Sequence, residues 1–192
     1  MLEIRDTAQD DLSGIDYTLA VIDSPAELRD RIYALDQGGH KGRLVAGYCW
    51  NWASKKDPGA WDITCPEYGF RMQWNLTNDE GRYLEMAHSV DQVGCIHTVQ
   101  GLEMDYVGVI IGPDLIAREG RVITQPHERA RTDRSLDGYK LARKESPEEA
   151  DARADAIIKN THRTLMSWGL KGCFIYCTDP ENHAHFRGKI AE

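Results

Sequence analysis

Residues 94–114 read GCIHTVQGLEMDYVGVIIGPD, from Gly94 to Asp114, and their pattern decides the fold class. Val107–Ile111 is apolar at nearly every position and mostly β-branched, so neither face is left for water. That is the signature of a parallel strand buried on both sides. Ahead of it stands the turn Gln100-Gly101-Leu102-Glu103, and Gly112-Pro113-Asp114 closes it. A glycine-bearing loop with a carboxylate just before such a strand is a candidate nucleotide edge, because Glu103 can accept hydrogen bonds from ribose hydroxyls. Spacing alone is a weak signal, since a loop and strand with one glutamate is more often structural.

Working outward, strands alternate with helices. Tyr17–Ile22 reads as a strand, and Ser24-Pro25-Ala26-Glu27 then opens a helix: Ser24 caps, Pro25 suits the first turn, and Glu27 completes a capping box. Leu28, Ile32 and Leu35 share one face of that helix, which stops near Gly38-Gly39. Arg43–Tyr48 is the next strand, Trp50 to Pro66 a long polar loop, and Phe70–Trp74 a short alternating strand. Asn75–Ser89 is mixed. The segment 115–140 is rich in arginine without helical period and is expected to be a surface insertion. Ser146-Pro147-Glu148-Glu149 starts a second capped helix running to Met166, and Gly169–Gly172 turns into the strand Cys173–Cys177. This order implies right-handed crossovers and a mostly parallel sheet covered by helices on both faces, in one domain over 1–192.

Composition bounds the function. With 192 residues the chain can bury a single core. The formal net charge of -8 gives no global pull toward nucleic acid or acidic membranes, so any nucleic-acid contact is local and salt-sensitive. There is no bilayer-length apolar run, and Met1-Leu2-Glu3-Ile4-Arg5-Asp6 is charged at once, so a membrane is not expected and the cytoplasm is. Cys49, Cys65, Cys95, Cys173 and Cys177 lack zinc-type C-x-x-C pairing. Cys173 and Cys177 stand four strand residues apart, about 13 Å at roughly 3.3 Å per residue, too far to share a metal. Reduced core thiols are expected. His183-x-His185 reads as part of a solvated tail, with weak chelation as the alternative.

The wording of Gly94–Asp114 closely resembles motif V of superfamily 1 helicases, in the form carried by the Schlafen group 3-like DNA/RNA helicase domain family. Arg43-Leu-Val-Ala-Gly-Tyr-Cys-Trp-Asn-Trp52 resembles a strand and loop of that family's second RecA-like domain. Asn160-Thr-His-Arg-Thr-Leu-Met-Ser-Trp-Gly-Leu-Lys-Gly-Cys-Phe-Ile-Tyr-Cys-Thr-Asp179 occupies the place of motif VI. The resemblance runs from about Leu2 to His185 with elements in family order. It implies a RecA-like P-loop NTPase-type three-layer sandwich. It also implies that Gln100, Gly101 and Glu103 form a nucleotide edge, with Glu103 as ribose ligand. His97 and Thr98 would touch the nucleic-acid backbone; a satisfied histidine and a strand-edge threonine are the alternative.

Two departures qualify the resemblance. No G-x-x-x-x-G-K-[ST] loop occurs, so nothing here cradles a triphosphate in the Walker A manner, and Asp114 and Asp179 read as strand-end aspartates rather than Walker B acids. In full-length relatives an upstream first RecA-like domain supplies both elements; this chain looks like the second half alone. ATP and Mg²⁺ are therefore expected only with a Walker-containing partner domain. The second departure is at motif VI, where the family arginine that reaches the γ-phosphate is replaced by Trp168, which has no charge and one N–H donor. Arg163 and Lys171 are the nearby cations. Trp50 and Trp52 either stack bases or pack beside a strand end, and Arg129, Arg131 and Arg134 read as a solvated charged face. Two function classes follow. One is the C-terminal half of an ATP-dependent DNA/RNA helicase-like protein, with no ATPase of its own and only weak binding to DNA or RNA alone. The other is a non-catalytic remnant that binds nucleic acid or a partner protein.

Overall fold

The computed structural model describes residues 16–74, 83–99 and 101–191. Its elements are β1 (Thr18–Val21), α1 (Pro25–Gln37), β2 (Gly42–Ala46), β3 (Ile63–Cys65), β4 (Phe70–Trp74), β5 (Gln92–Gly94), β6 (Met104–Ile111), β7 (Leu115–Arg118), β8 (Arg121–Thr124), α2 (Tyr139–Glu145), α3 (Pro147–Met166), β9 (Gly169–Cys177) and α4 (Pro180–Ala191). Seven strands form one sheet in the order β1-β9-β6-β2-β5-β4-β3. Every neighbouring pair is parallel except β3 with β4, which run antiparallel at one edge. β7 and β8 form a separate antiparallel hairpin.

The period-two alternation of the central strands sorts side chains into two cores. Val107, Val109 and Ile111 of β6 join Cys173, Ile175 and Cys177 of β9 under Ile158 and Leu165 of α3 and Phe186 of α4. On the other face, Leu44 and Ala46 of β2, Ile110 of β6 and Phe174 and Tyr176 of β9 meet Leu28 and Ile32 of α1. Helices thus cover both faces of a mostly parallel sheet, giving the expected three layers. Gly108 lets α1 sit close to β6: a Cβ there would stand 2.6 Å from Leu44 Cδ2 and 3.0 Å from Ile32 Cγ1.

The ends of α1 follow their sequence signals. Ser24 Oγ accepts from the Glu27 backbone N–H at 3.1 Å, Pro25 opens the first turn, and Gly38 ends the helix. Ser146 also precedes a helix, but its side chain makes no capping bond to α3. Its N–H instead donates to Ala142 O at 2.8 Å, so this serine closes α2, a helix its sequence did not announce.

Three further differences have physical reasons. The polar stretch 50–66 contains β3, whose Ile63 and Cys65 alternate inward around exposed Thr64. Residues 115–140 do not simply lie over the surface. Leu115, Ile116 and Ala117 are buried, and Asn182 Nδ2 of α4 donates to Leu115 O at 2.8 Å. The region of His183 and His185 is not a tail but helix α4. Asp179 caps it by accepting from the Asn182 N–H at 2.8 Å, Pro180 leads it, and Phe186 is 4% exposed. His183 faces Asp23 at 3.3 Å and the ring of Tyr176.

Candidate functional site

Because six strands of the sheet run parallel, their N-terminal ends share one edge and their C-terminal ends the other. β2 has five residues, so the edges stand about 13 Å apart along it. The candidate residues divide between these edges.

At the N-terminal edge, Met104 opens β6 and is the register partner of Gly169, which opens β9. Glu103 and Trp168 each precede one of these partners, which makes them neighbours at that edge. Between Met104/Gly169 and Tyr106/Gly172, β9 advances three residues while β6 advances two, so β9 carries a bulge. The spelling Gly169-Leu170-Lys171-Gly172 follows from it: a Cβ on Gly169 would meet Gly172 O at 2.1 Å, and one on Gly172 would meet Thr18 O at 2.7 Å. The bulge leaves Leu170 62% exposed. Gly101 adopts φ +80, the left-handed region where glycine is unstrained. Glu103 is exposed, and Trp168 is half-buried, with its ring packed on the core that includes Ile158 and Leu165. Gln100 lies outside the described residues.

The cations near Trp168 are engaged. Lys171 Nζ is 2.8 Å from Asp105 Oδ1, and Asp105 Oδ2 accepts from the Lys41 backbone N–H at 2.9 Å. Lys171, first, and the Lys41 amide hold the Asp105 carboxyl below its ordinary pKa, and Asp105 in turn raises that of Lys171. Arg163 donates to Asn160 Oδ1 at 2.9 Å.

At the C-terminal edge, His97 is exposed, with its ring 6.4 Å from that of Tyr48 just past β2. Thr98 is half-buried, with Oγ1 3.2 Å from Cys95 Sγ. Trp50 and Trp52 both pack against the α1-side core. Trp52 meets Trp74 edge-on at 6.0 Å and carries the Lys55 ammonium 4.5 Å over its ring, so packing and a cation–π contact occupy it.

Beside this edge lies a polar cluster that the sequence did not announce. Asp114 is fully buried; its Oδ1 is 3.1 Å from His162 Nε2, and its Oδ2 accepts from Arg129 Nη1 at 2.9 Å. Arg129 Nε donates to Asp133 Oδ2 at 2.7 Å, and Asp133 also accepts from the Ser135 N–H and hydroxyl. Burial alone would raise the Asp114 pKa. The facing His162, then Arg129 and the Cys49 thiol, outweigh it and hold the carboxyl well below the usual carboxylate range. Burial, and then Asp114, push the Cys49 thiol well above its ordinary value. Arg129 is therefore not part of a solvated face: among the three arginines read that way, Arg131 and Arg134 are exposed and Arg129 is 9% exposed. The reason is that Asp114 and Asp133 neutralise it, the condition under which an arginine is buried. One signal was present, since His162 lies four residues after Ile158 and three before Leu165, on the apolar face of α3. With Asp114 and His162 sealed from solvent, the cluster braces the 126–135 segment against the sheet. That bracing carries to the edge, because the Ala130 N–H donates to Tyr48 O at 2.8 Å.

A seven-stranded, mostly parallel sheet between two helical layers defines an α/β protein of RecA-like type. The model of the Schlafen group 3, DNA/RNA helicase domain matches residues 1–179, and the chain belongs to that helicase-like family. It is also similar to the uncharacterized protein YPL245W of Saccharomyces cerevisiae (strain ATCC 204508 / S288c), with 22% identity over 178 residues. That match covers 92% of this chain and 37% of the yeast protein, so the chain spans little more than a third of its relative's length. No solved structure matches it. Among the described residues, no helix is long and apolar enough to cross a membrane.

Proposed function

We propose that this chain is the second RecA-like half of an ATP-dependent DNA/RNA helicase-like protein. On this reading its N-terminal sheet edge faces a nucleotide held by a Walker-bearing domain, whether on the same polypeptide or another. The observation that supports the reading is the Met104–Gly169 register, which sets Glu103 and Trp168, the residues read as motif V and motif VI positions, at one sheet edge. Separate motifs meeting at one edge are what a shared ligand requires. Exposed Leu170 beside them suits a surface that closes against another domain.

The residues present fit part of the nucleotide. Glu103 is an exposed carboxylate with no hydrogen-bond partner among the described residues, free to accept from a ribose, and Gly101 lets the backbone approach closely. They do not fit Mg²⁺, because Asp105 is already taken by Lys171 and the Lys41 amide. The triphosphate and its metal therefore belong to the Walker-bearing domain. The chemistry ATP and Mg²⁺ supply is phosphoryl transfer to water; this chain's residues hold the ribose and close the cleft.

At the other edge, His97 and Thr98 contact the nucleic-acid backbone, and the aspartate–arginine–histidine cluster fixes the Tyr48 loop beside them. With a net charge of -8 that contact is weak in the isolated chain. The alternative, a non-catalytic binding remnant, is favoured by one observation: an indole stands where the family has its arginine.

The test is binding of a fluorescent adenine nucleotide to the chain mixed with a Walker-bearing RecA-like domain of the same family. Glu103→Ala is expected to weaken nucleotide binding in the mixture and to leave the Walker-bearing domain alone unaffected. Equal affinity with and without this chain contradicts the reading.

A further inference from the structure

Residues 115–144 carry eight Lys or Arg against four Asp or Glu, a local balance of +4 within a chain of -8. On α2, Lys140, Arg143 and Lys144 recur at helical spacing and so lie on one face. That face lines an open cleft of about 1040 Å³ against the first turns of α3, with Thr124 and His127 at its far wall. The two acids in the cleft are already satisfied: Asp151 accepts from Tyr139 Oη at 2.6 Å and pairs with Arg143, while Asp155 pairs with Lys159 and accepts from Thr124. Lys140 and Lys144 are exposed and form no ion pair with any described residue.

A chain of contacts links the cleft to the edge that carries His97. His97 touches Tyr48, the Tyr48 carbonyl accepts from Ala130, and the segment leading back from Ala130 reaches His127. Arg129, clamped on Asp114, holds that segment in place. α3 begins beside the cleft and ends at Met166, just ahead of β9, so its first turns lie toward the C-terminal sheet edge, the edge that carries His97.

We propose that this cleft takes the phosphate backbone of single-stranded nucleic acid, with Lys140 and Lys144 as the phosphate contacts. The proposal rests on the reading of His97 and Thr98 as a nucleic-acid edge and extends it by a second site on α2. A polyanion with regularly spaced charges suits two unpaired lysines one helical turn apart. These lysines carry no base-reading geometry, so the contact is indifferent to sequence.

The experiment is fluorescence anisotropy of a labelled single-stranded oligonucleotide, as RNA and as DNA, between about 50 and 200 mM salt. It compares the full chain with Lys140→Gln/Lys144→Gln, and with His97→Ala as a separate arm. Both lysines are exposed, so the double variant should fold, and circular dichroism checks that it has. The expected result is a loss of roughly tenfold or more at low salt, with the slope of log affinity against log salt shallower by about 1.4, the share of two contacts. An unchanged slope with binding intact overturns the cleft but leaves the His97 edge standing. A loss in the lysine variant with none in His97→Ala supports the cleft and removes the His97 edge. No binding by the parent chain at low salt defeats both. Polyglutamate binding as tight as the oligonucleotide, lost equally in the double variant, overturns the proposal in favour of an acidic protein partner.

Discussion

Glu103 and Trp168 immediately precede the adjacent parallel strands β6 and β9, each one residue ahead of the register pair Met104 and Gly169. They lie 65 positions apart in sequence, yet the sheet makes them neighbours at one edge. Glu103 is an exposed carboxylate there, and Trp168 is a half-buried indole packed on the α3-side core. On the proposed reading this edge is one wall of a nucleotide cleft, with an indole rather than a cation at the motif VI position.

The isolated chain should have no ATPase, because it carries neither a phosphate loop nor a Walker B acid. Asp114 cannot substitute, being buried and locked to His162 and Arg129. The check is phosphate release by rigorously purified protein. Steady release abolished by Glu103→Ala contradicts the expectation.

The buried cluster should matter for stability. Asp114→Asn leaves Arg129 without one of its two buried partners and is expected to cost about 3–5 kcal/mol, read as a shift in the urea midpoint. The sign of the pH effect follows from the depressed Asp114 pKa. Its stabilisation is present above the unfolded carboxyl value of about 3.9 and is lost as pH falls below that toward the lower folded value. Wild type should thus lose more stability than Asp114→Asn on going from pH 5 to pH 3, and parallel losses would remove the cluster from the account.

Packing predictions follow from two positions. Gly108→Ala drives a methyl into Leu44 and Ile32 and should destabilise by about 1–3 kcal/mol. Phe186→Ala, in the helix that covers the α3-side core, should cost about 3–5 kcal/mol. If Phe186→Ala is neutral, α4 is not docked.

Leu170, 62% exposed beside Trp168, should promote weak self-association while no other domain covers the edge. Leu170→Ser is expected to lower the association seen by sedimentation. Equal sedimentation of the two proteins would mean that this edge is not the sticky one.

How much of this was legible follows from the range of each cause. Val107–Ile111 announces a doubly buried strand because burial on both faces removes every polar side chain from the run. Ser24, Pro25 and Glu27 announce α1 because capping is decided within four residues. The signal for α4 was equally local, Asp179-Pro180-Glu181, but the two histidines that follow drew attention to solvent and metal chemistry. Beyond the place of His162 on the apolar face of α3, the cluster was not legible, because the partners of Arg129 come from the turn after β6 and from four residues downstream, and nothing near Arg129 distinguishes it from exposed Arg131. The split of His97 from Glu103 was hidden for a similar reason. They stand only six positions apart in sequence, and the chain crosses back along the sheet between β5 and β6 within that distance.

The central claim is that the edge bearing Glu103 and Trp168 faces the nucleotide of a Walker-bearing domain. Its most direct test is the hydrolysis rate and nucleotide affinity of such an assembly with Trp168 and with Trp168→Arg. Slow turnover is expected with the indole. The arginine is expected to raise the rate, toward the roughly 10³–10⁵ that such arginines contribute, with little change in affinity, as for an interaction made mainly in the transition state. Turnover already fast with Trp168 and unchanged by the arginine would contradict it.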